Sequence, residues 1–509
     1  MNGETRVDIT RHLKGWRGDI LASLGGAVVP LAFAPIDWWL LAVVGPALLL
    51  LVWQISTPWR AAWRGLLFGL AMFGVGINWV FISIHFHGFV GLGLSLFLTG
   101  LLIVAMALFP AILGYVTVKL FPLRHDVGYS RLKLLLAMPA LWVLAEWVRG
   151  WFMTGFPWLS LGYSQLDSPL AGIAPVLGVF GVSWAVVLTS ALLIALVVDL
   201  RGAVLYAPIL VVLWLAGWGL GQVQWSTPAG APLQVALLQG NIPQDLKWHP
   251  AMRKPTIDLY TALTRANWQS DLIVWPESAL PAFYYEAEAF LDDLEKEAQE
   301  NGVDLLIGVL HHDREAGLYF NSMLSLGSSR GFYHKQHLVP FTEYLPFKDV
   351  LGRLVDFMQV PMSDFSPGEK KQKPLSVAGQ LAGISICFED AFGEEIIRAL
   401  PEATLLVNVS NDAWFDDSWA PHQHLQLARM RALESARPML RATNTGVTAV
   451  VNHKGDIQSV AQQFKATALT DTIQPMAGRS LFSLVGNWAV VIMTLACVIV
   501  AFVVGRARK

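Results

Sequence analysis

Three residues in the charged part of the chain supply a nucleophile, a base and a cation. Cys387 follows the apolar run Leu381–Ile386, Glu277 follows a second apolar run, and Lys335 lies among large apolar side chains. A thiol with an ordinary pKa of about 8.5 is mostly protonated at neutral pH, so a carboxylate must accept its proton as it attacks a carbonyl carbon. An ammonium and a backbone N–H can then hold the charge on the carbonyl oxygen. These residue types predict acyl transfer through a thioester.

The elements around Cys387 and Glu277 favour this chemistry. Leu381–Ile386 predicts a buried strand and the residues from Ala391 onward predict a helix. Cys387 therefore falls at a strand-to-helix turn, where a nucleophile can be exposed. The strand Leu272–Trp275 ends just before Glu277, and the functional groups of α/β proteins often lie at the carboxyl ends of strands. Two simpler interpretations remain open: Cys387 as a buried inert thiol, and Glu277 as a solvated carboxylate of a turn.

The composition indicates a membrane protein. The chain has 509 residues, of which 54% are hydrophobic and 15% are charged, and its mean hydropathy is positive. A chain this apolar is not soluble throughout. Charged residues concentrate between Gln222 and Arg479, so apolar stretches enclose one water-soluble segment. The net charge of -2 gives no sign of a nucleic-acid partner, and none is expected.

Eight stretches are apolar enough to cross a hydrocarbon core of about 30 Å, which takes about 20 residues. They lie at roughly 19–35, 37–54, 65–84, 88–118, 134–148, 171–199, 203–221 and 482–505. The first could instead be a signal peptide, because Ala32–Ala34 resembles a cleavage site, although Pro35 follows it. The pattern predicts a transmembrane domain of seven spans at 1–221, a soluble domain at 222–480, and a C-terminal span with its tail at 481–509.

Basic residues flank these stretches unevenly. With eight spans, one side of the membrane holds Arg6, Arg11, Lys14, Arg17, Arg60, Arg64, Lys119, Arg124, Arg131, Lys133, Arg201, Arg506, Arg508 and Lys509. The opposite short loops hold almost none, Arg149 excepted. Because basic loops stay in the cytoplasm, both termini are expected there. The soluble domain is then expected outside the cytoplasmic membrane, which in a Gram-negative cell is the periplasm.

The two cysteines are not expected to pair. The periplasm is oxidising, so an unpaired thiol there risks unwanted coupling. Cys497 lies in the last predicted span, out of reach of Cys387. An unpaired Cys387 in that compartment favours a chemical role.

The soluble domain shows an alternating pattern of strands and helices. Strands are predicted at 233–238, 272–275, 305–310, 384–386, 405–409 and 447–451, and helices at 286–301 and 422–435. A late hairpin is predicted at 450–455. The pattern predicts an α/β domain.

Three segments of this domain resemble the nitrilase superfamily with its Glu-Lys-Cys triad. They are Trp275–Glu277, Tyr333–Pro346 and Ser385–Asp390, in that order. Together with the spans on both sides, they resemble the apolipoprotein N-acyltransferases of Gram-negative bacteria, and the likeness covers essentially the whole chain. The resemblance implies a four-layer αββα domain, and the eight predicted spans add an eight-helix transmembrane bundle to it.

The resemblance also implies a reaction. The cysteine takes an acyl chain from a membrane phospholipid as a thioester and passes it to the α-amino group of the diacylglyceryl-cysteine of an apolipoprotein, the last step of lipoprotein maturation. It implies Glu277 as the general base, Lys335 as the oxyanion stabiliser and Cys387 as the nucleophile. No cofactor is implied. The expected partners are the phospholipid donor, the apolipoprotein acceptor and the bilayer of the cell inner membrane.

The same resemblance implies supporting residues. Glu343 and Glu389 match supporting carboxylates of the family. Phe388 stands where many members have Tyr, so a role of that hydroxyl is missing here while the backbone amide remains.

A lipid substrate requires an apolar approach to the thiol. The apolar stretch 350–365 is long for a simple connection and predicts a mobile lid that faces the bilayer or, alternatively, a core-packed extension. The candidate substrate-binding residues are Trp248, Tyr344, Asn411, Trp414, Glu146 and Arg149. The alternatives are interfacial anchoring for the aromatic residues, a helix-capping turn around Asn411, and a plain ion pair between Glu146 and Arg149.

No metal site is expected. The histidines at 85, 87, 311, 312, 422 and 424 lack the Cys or carboxylate spacing of a closed site.

Two other functions remain open. A membrane-tethered amidase or nitrilase would use the same triad to hydrolyse small amides and would release ammonia. A membrane scaffold with a degenerate domain would leave Cys387 inert. The apolar lid and the spans favour the acyltransferase.

Overall fold

The computed structural model describes residue 13 and residues 15–122, 131–344 and 364–507. The chain divides into two compact units. The helical unit takes in residues up to 85, residues 90–223 and residues from 484 onward. The α/β unit takes in residues 86–89 and 224–483.

The longer described helices, in chain order, are α1 Trp16–Val28, α2 Leu41–Trp53, α3 Pro58–Gly76, α4 Leu92–Leu120, α5 Met138–Arg149, α6 Ala174–Val198, α7 Ala203–Gly221, α8 Pro250–Arg265, α9 Tyr284–Asn301, α10 Trp419–Ser435 and α11 Trp488–Ala507. Shorter helical segments include Val80–Ile82, Ser83–His87, Lys133–Ala137, Pro169–Ile173, Gly393–Ile396 and Leu481–Val485.

The described strands are β1 Ser226–Pro228, β2 Leu233–Gln239, β3 Leu272–Val274, β4 Asp304–Asp313, β5 Leu318–Leu326, β6 Gly331–His334, β7 Leu375–Val377, β8 Gln380–Ile386, β9 Leu405–Ser410, β10 Met439–Thr443, β11 Ala449–Val451, β12 Ile457–Val460, β13 Thr467–Ile473 and β14 Met476–Gly478.

Four helical spans among the described residues are long and apolar enough to cross a membrane. They are Leu92–Leu120, Pro169–Val198, Ala203–Gly221 and Trp488–Ala507. A fifth results if Pro58–Gly76 and Val80–His87, bent by 61°, count as one span. Helix α2 is apolar but has only 13 residues, which cover about 20 Å at a rise of about 1.5 Å per residue. The four spans coincide with predicted ones, and the total of eight stays a prediction.

Small residues let the helices of this unit pack closely. A Cβ on Gly65 of α3 would lie 2.1 Å from the carbonyl oxygen of Pro110 in α4, so only glycine permits this approach. Pro110 itself lies inside α4 and has no N–H to donate to the carbonyl oxygen of Met106, one turn earlier. In lipid the hydrophobic effect does not drive helices together, so they associate through close packing of this kind. The α3–α4 contact therefore depends on backbone proximity.

Arg64 connects the ends of three helices. Its side chain is only 2% exposed. It donates to Leu13 O and Val52 O at 2.9 Å and pairs with Asp19. The start of α1, the end of α2 and the first half of α3 therefore meet at this guanidinium. This is the arrangement of three consecutive helices in which each runs antiparallel to the one before.

The α/β unit contains two six-stranded sheets. One has the order β13-β2-β3-β4-β5-β6 and the other the order β12-β11-β10-β9-β8-β7. Strands β2, β3 and β4 are parallel, as are β8, β9 and β10. In each sheet three parallel strands therefore end at the same edge.

The two sheets pack face to face, with helices on their outer faces. Val235 and Leu237 of β2 share one buried core with Val407 and Val409 of β9. The alternate residues of β2, with those of β3 and β4, pack against α8 and α9. On the other sheet, alternate residues of β9 to β11 pack against α10. The layers run helix, sheet, sheet, helix, because side chains alternate between the two faces of a strand.

The six predicted strands correspond to β2, β3, β4, β8, β9 and β11, and the predicted hairpin to the antiparallel pair of β11 and β12. The predicted helices correspond to α9 and α10. Strands β5 and β10 were not predicted, because Asn321 and Arg441 interrupt their apolar pattern. Both side chains are buried and paired with polar partners inside the domain.

Candidate active site

Glu277 lies just after β3, three residues beyond its last residue, and is only 8% exposed. Both carboxylate oxygens are bound: Oε1 accepts from Asn321 Nδ2 at 2.7 Å and Oε2 accepts from the backbone N–H of Asn411 at 2.8 Å. A solvated turn residue would not be held in this way. The structure therefore presents Glu277 as a fixed, buried carboxylate.

Lys335 directly follows β6 and is 1% exposed. Its Nζ lies 2.9 Å from Glu343 Oε1 and 3.8 Å from Glu277 Oε1. Burial alone would lower the pKa of Lys335, but the negative charges of Glu343 and Glu277 outweigh it and raise the pKa above its ordinary value. Lys335 is therefore a permanent ammonium between carboxylates.

Cys387 directly follows β8 and opens a short helical turn, Cys387–Ala391. Its φ of 54° lies in the left-handed region, which a residue with a side chain adopts at a cost. The residue stays partly exposed. Burial, followed by the charge of Glu277, raises the pKa of the Cys387 thiol, while Lys335 opposes the rise. The resting nucleophile is therefore a thiol, and its proton needs an acceptor.

Glu389 connects the turn that carries the cysteine to the segment that carries the lysine. Its Oε2 accepts from Ile386 N at 2.7 Å and from the Tyr333 hydroxyl at 3.1 Å. Its Oε1 accepts from the backbone N–H groups of Gln336 at 2.6 Å and His337 at 3.1 Å. Burial raises the pKa of Glu389 to about 7 against these donors. One carboxylate thus binds the end of β8 and the residues on both sides of Lys335.

Glu343 completes the carboxylate set. Its Oε1 accepts from Lys335 Nζ and, at 3.2 Å, from Asn321 Nδ2, while Oε2 accepts from Val339 N at 2.8 Å. Asn321 therefore bridges Glu343 and Glu277. The structure brings together the predicted triad, Glu277, Lys335 and Cys387, and the two predicted supporting carboxylates, Glu343 and Glu389.

Residues 25–192 match the family described as the apolipoprotein N-acyltransferase N-terminal domain, and residues 234–481 match the carbon-nitrogen hydrolases. An apolipoprotein N-acyltransferase from Methylococcus capsulatus is 46% identical over 495 residues, covering 96% of each chain. One from Photobacterium profundum is 42% identical and covers 96% of this chain and 95% of its own. The chain belongs to the apolipoprotein N-acyltransferase family.

A solved carbon-nitrogen hydrolase from Helicobacter pylori G27 is also similar, at 19% identity and a TM-score of 0.37, covering 48% of this chain and 89% of its own. The assignment rests on the full-length relatives. The predicted family and function are confirmed: this protein is an acyltransferase of lipoprotein maturation, with a carbon-nitrogen hydrolase domain.

The predicted substrate contact Asn411 is occupied with protein partners in the acyltransferase. Its Nδ2 donates to Gln244 Oε1 at 2.7 Å and its Oδ1 accepts from Asn444 Nδ2 at 3.0 Å. Because its backbone N–H also binds Glu277, Asn411 fixes the direction of that carboxylate. Substrate binding by Asn411 stays a prediction.

The three aromatic candidates differ in exposure. Trp248 is 38% exposed, and Trp414 is half-buried. Tyr344 is the last described residue before 345–363, and its backbone oxygen accepts from Phe341 N at 2.8 Å. Most of the predicted lid lies outside the described residues. Its last residue, Phe365, is described and donates its N–H to Glu343 O at 3.0 Å.

Glu146 and Arg149 lie in the helical unit and are buried. Glu146 Oε1 accepts from Trp142 Nε1 at 2.9 Å and from Leu161 N at 3.0 Å. Arg149 donates to the carbonyl oxygens of Phe156 and Trp158. Both side chains therefore hold the loop after α5, and headgroup binding by either stays a prediction.

Sequence reasoning missed one buried cation of the site, Lys247. It is 4% exposed and its Nζ donates to the backbone oxygen of Glu277 at 3.1 Å. Burial lowers the pKa of Lys247 to about 8, against the opposing charge of Glu277. Nothing in its local sequence separates it from a surface lysine, since no strand or helix pattern surrounds it.

Replacing Gly308 with Ala tests how closely the position of Glu277 is set. A Cβ on Gly308 in β4 would lie 2.1 Å from Pro276 O and 2.6 Å from Ser278 N, so Gly308→Ala must displace the turn between them. We expect the acyl-transfer rate to fall by about 100-fold, as a misplacement near 1 Å can cause, in protein that still folds. Gly331→Ala, in β6 of the same sheet, is the control and should stay active. Wild-type activity of Gly308→Ala would contradict the prediction.

Glu389→Gln removes an acceptor without changing shape. Each carboxylate oxygen of Glu389 accepts two hydrogen bonds, so an amide NH₂ must face two donors wherever it points. We expect a loss of stability of about 1–3 kcal/mol and a large loss of transfer, measured by thermal unfolding and acyl-transfer assays in detergent. In Glu297→Gln, which breaks an exposed pair with Arg265, both should change little. An active, stable Glu389→Gln protein would refute the conclusion that Glu389 holds the end of β8 and the Lys335 segment together.

The pH dependence of thiol alkylation tests the electrostatics of the site. Since the pKa of Cys387 is raised, less thiolate exists at any given pH than for an ordinary thiol. In a Cys497→Ser background, the rate of alkylation by iodoacetamide should keep rising through a pH of about 9.5. An ordinary thiol would level off above its pKa of about 8.5. A plateau beginning there would contradict the raised pKa.

Proposed function

We propose that this acyltransferase works through a Cys387 thioester with Glu277 as base and Lys335 as oxyanion stabiliser. In the first half-reaction, the thiol proton passes to Glu277 while Sγ attacks the ester carbonyl carbon of a phospholipid. The negative charge on the carbonyl oxygen faces the ammonium of Lys335. When the intermediate collapses, the lysophospholipid oxygen leaves and takes the proton from Glu277.

In the second half-reaction Cys387 is the leaving group, and the acceptor amine is the nucleophile. The neutral α-amino group of the diacylglyceryl-cysteine attacks the thioester carbonyl, and Glu277 takes the proton that the new amide nitrogen sheds. The Cys387 sulfur leaves and recovers a proton from Glu277. Each half-reaction therefore returns the base to its starting state, as a two-step exchange at one site requires.

One observation carries this proposal: a buried carboxylate, a buried ammonium and a partly exposed thiol, from three strand ends, lie together. Lys335 Nζ is 3.8 Å from Glu277 Oε1, and the charges of both residues shift the pKa of Cys387. These are the groups that thioester chemistry needs. The family to which the chain belongs supplies the substrate class.

The membrane arrangement is also a proposal. We infer an inner-membrane protein with eight spans, both termini in the cytoplasm and the α/β unit in the periplasm. The uneven distribution of basic residues supports this orientation. The contact of Arg64 with Leu13 O and Val52 O supports antiparallel passes at the start of the chain. The acyl donor and the lipidated acceptor would then both come from the bilayer.

The decisive test uses purified protein in mixed micelles with a phospholipid that carries a labelled acyl chain. Acid quenching and peptide mass spectrometry should find a hydroxylamine-sensitive acyl group on Cys387 that disappears when a diacylated lipopeptide is added. Cys387→Ala should abolish the label, and Glu277→Gln and Lys335→Ala should fold but lose transfer by at least about 100-fold. Lys370→Ala, at an exposed lysine, should behave as wild type.

Other outcomes point to other functions. Release of ammonia from small amides, without acylation by phospholipid, would indicate an amidase. A folded protein in which Cys387 takes no acyl group from any substrate would indicate a scaffold. Retained transfer in any of the three triad variants would refute the role assigned to that residue.

A further inference from the structure

A buried cluster of four ionisable side chains lies next to the turn of Cys387. Asp390, Asp412, His424 and Arg441 are each no more than 3% exposed. The ring of His424 lies between the carboxylates, with Nδ1 2.9 Å from Asp412 Oδ1 and Nε2 3.0 Å from Asp390 Oδ1. Arg441 donates to the other oxygens, Asp390 Oδ2 and Asp412 Oδ2, each at 3.0 Å. Two cations thus alternate with two anions.

This arrangement requires His424 to be protonated. Ionised carboxylates only accept hydrogen bonds, so both ring nitrogens must donate. Burial and Arg441 oppose the charge, but Asp390 and Asp412 outweigh them and raise the pKa of His424 to about 9. A buried charge set of this kind is tolerated only when every member is paired.

The cluster reaches the active site at the backbone oxygen of Cys387. His424 Nε2 lies 3.2 Å from this oxygen, and Asn408 Nδ2 donates to it at 3.2 Å. Asn408 is itself oriented by Arg441, whose Nη1 donates to Asn408 Oδ1 at 2.5 Å. Two donors, one of them charged, therefore hold the carbonyl of the nucleophile.

Holding that carbonyl sets the direction of the next amide. The peptide between Cys387 and Phe388 is planar and trans, so its C=O and N–H point in opposite directions. Donors on the carbonyl therefore aim the Phe388 N–H away from the cluster. A charged donor also polarises the peptide and strengthens its N–H as a hydrogen-bond donor. The positive φ of Cys387 needs such support from its surroundings.

We propose that His424, together with Asn408, positions the Cys387–Phe388 peptide so that the Phe388 N–H donates to the oxyanion formed during acyl transfer. The inference rests on the proposed function, because it concerns the same step. In that step Sγ bonds to the acyl carbon, the C=O π electrons move to oxygen, and the thiol proton passes to Glu277. The oxyanion then has two donors, Lys335 and this N–H. His424 acts through the carbonyl oxygen of Cys387 and is a positioning residue.

The experiment compares two reactions of the same thiol in full-length protein. Acylation by labelled phospholipid passes through an oxyanion, whereas alkylation by iodoacetamide displaces iodide at a saturated carbon and forms none. The ratio of the two rates cancels any change in access to the Cys387 sulfur. In His424→Gln and Asn408→Ala this ratio should fall by about 10- to 1,000-fold, the usual effect of losing an oxyanion donor. Asn408→Ala leaves the four charged side chains of the cluster paired with one another, so it still tests the inference if His424→Gln fails to fold.

Asp304→Asn is the matched control. Asp304 is a buried carboxylate at the start of β4, bound by Ser328 N and Ala378 N at 2.6 Å. Its replacement should lower stability and leave the ratio unchanged. If the wild-type protein is acylated and the ratio is unchanged in both His424→Gln and Asn408→Ala, the inference is overturned but the proposed function is not. Wild-type Cys387 that is alkylated but never acylated would overturn the proposed function and the inference with it.

Discussion

The buried ammonium of Lys335 is the interaction on which the rest of the site depends. An unpaired ammonium in this position would cost several kcal/mol of stability. Glu343 at 2.9 Å and Glu277 at 3.8 Å compensate it, and charges at the longer distance interact by about 4 kcal/mol at an effective dielectric constant near 20. The chain can bury Lys335 only when those carboxylates are in place, so the contacts that stabilise the fold also assemble the site.

The sandwich explains how residues distant in sequence reach that ammonium. Glu277 follows a strand of one sheet, and Cys387 follows a strand of the other. The shared core between the sheets fixes the register of β3 and β8, because a slip of one residue would turn their apolar side chains to the wrong face. Glu389 then joins the end of β8 to the segment after β6. Apolar packing sets the coarse positions, and hydrogen bonds set the fine ones.

The separate parts played by apolar packing and by hydrogen bonds explain what the sequence could predict. Glu277 and Cys387 were predictable because polar residues end two strongly apolar runs. Strands β5 and β10 were not, because Asn321 and Arg441 are polar residues whose burial depends on partners far away in the chain. Lys247 carries no local signal at all. The total of eight spans stays a prediction, since α2 is an apolar helix of only 13 residues.

In the proposed mechanism, the attack on a carbonyl moves negative charge without changing the total charge of the site. Glu277 becomes neutral as it takes the thiol proton, and the oxyanion becomes negative beside the same ammonium. Fixed donors of this kind need no reorganisation during the reaction. A free thiolate, by contrast, would add a third negative charge beside Glu277 and Glu343, which together with burial is why the pKa of Cys387 is raised. Since only the thiolate reacts readily with oxidants and electrophiles, the same electrostatics keep Cys387 unreactive until an acyl carbonyl is present to accept the charge.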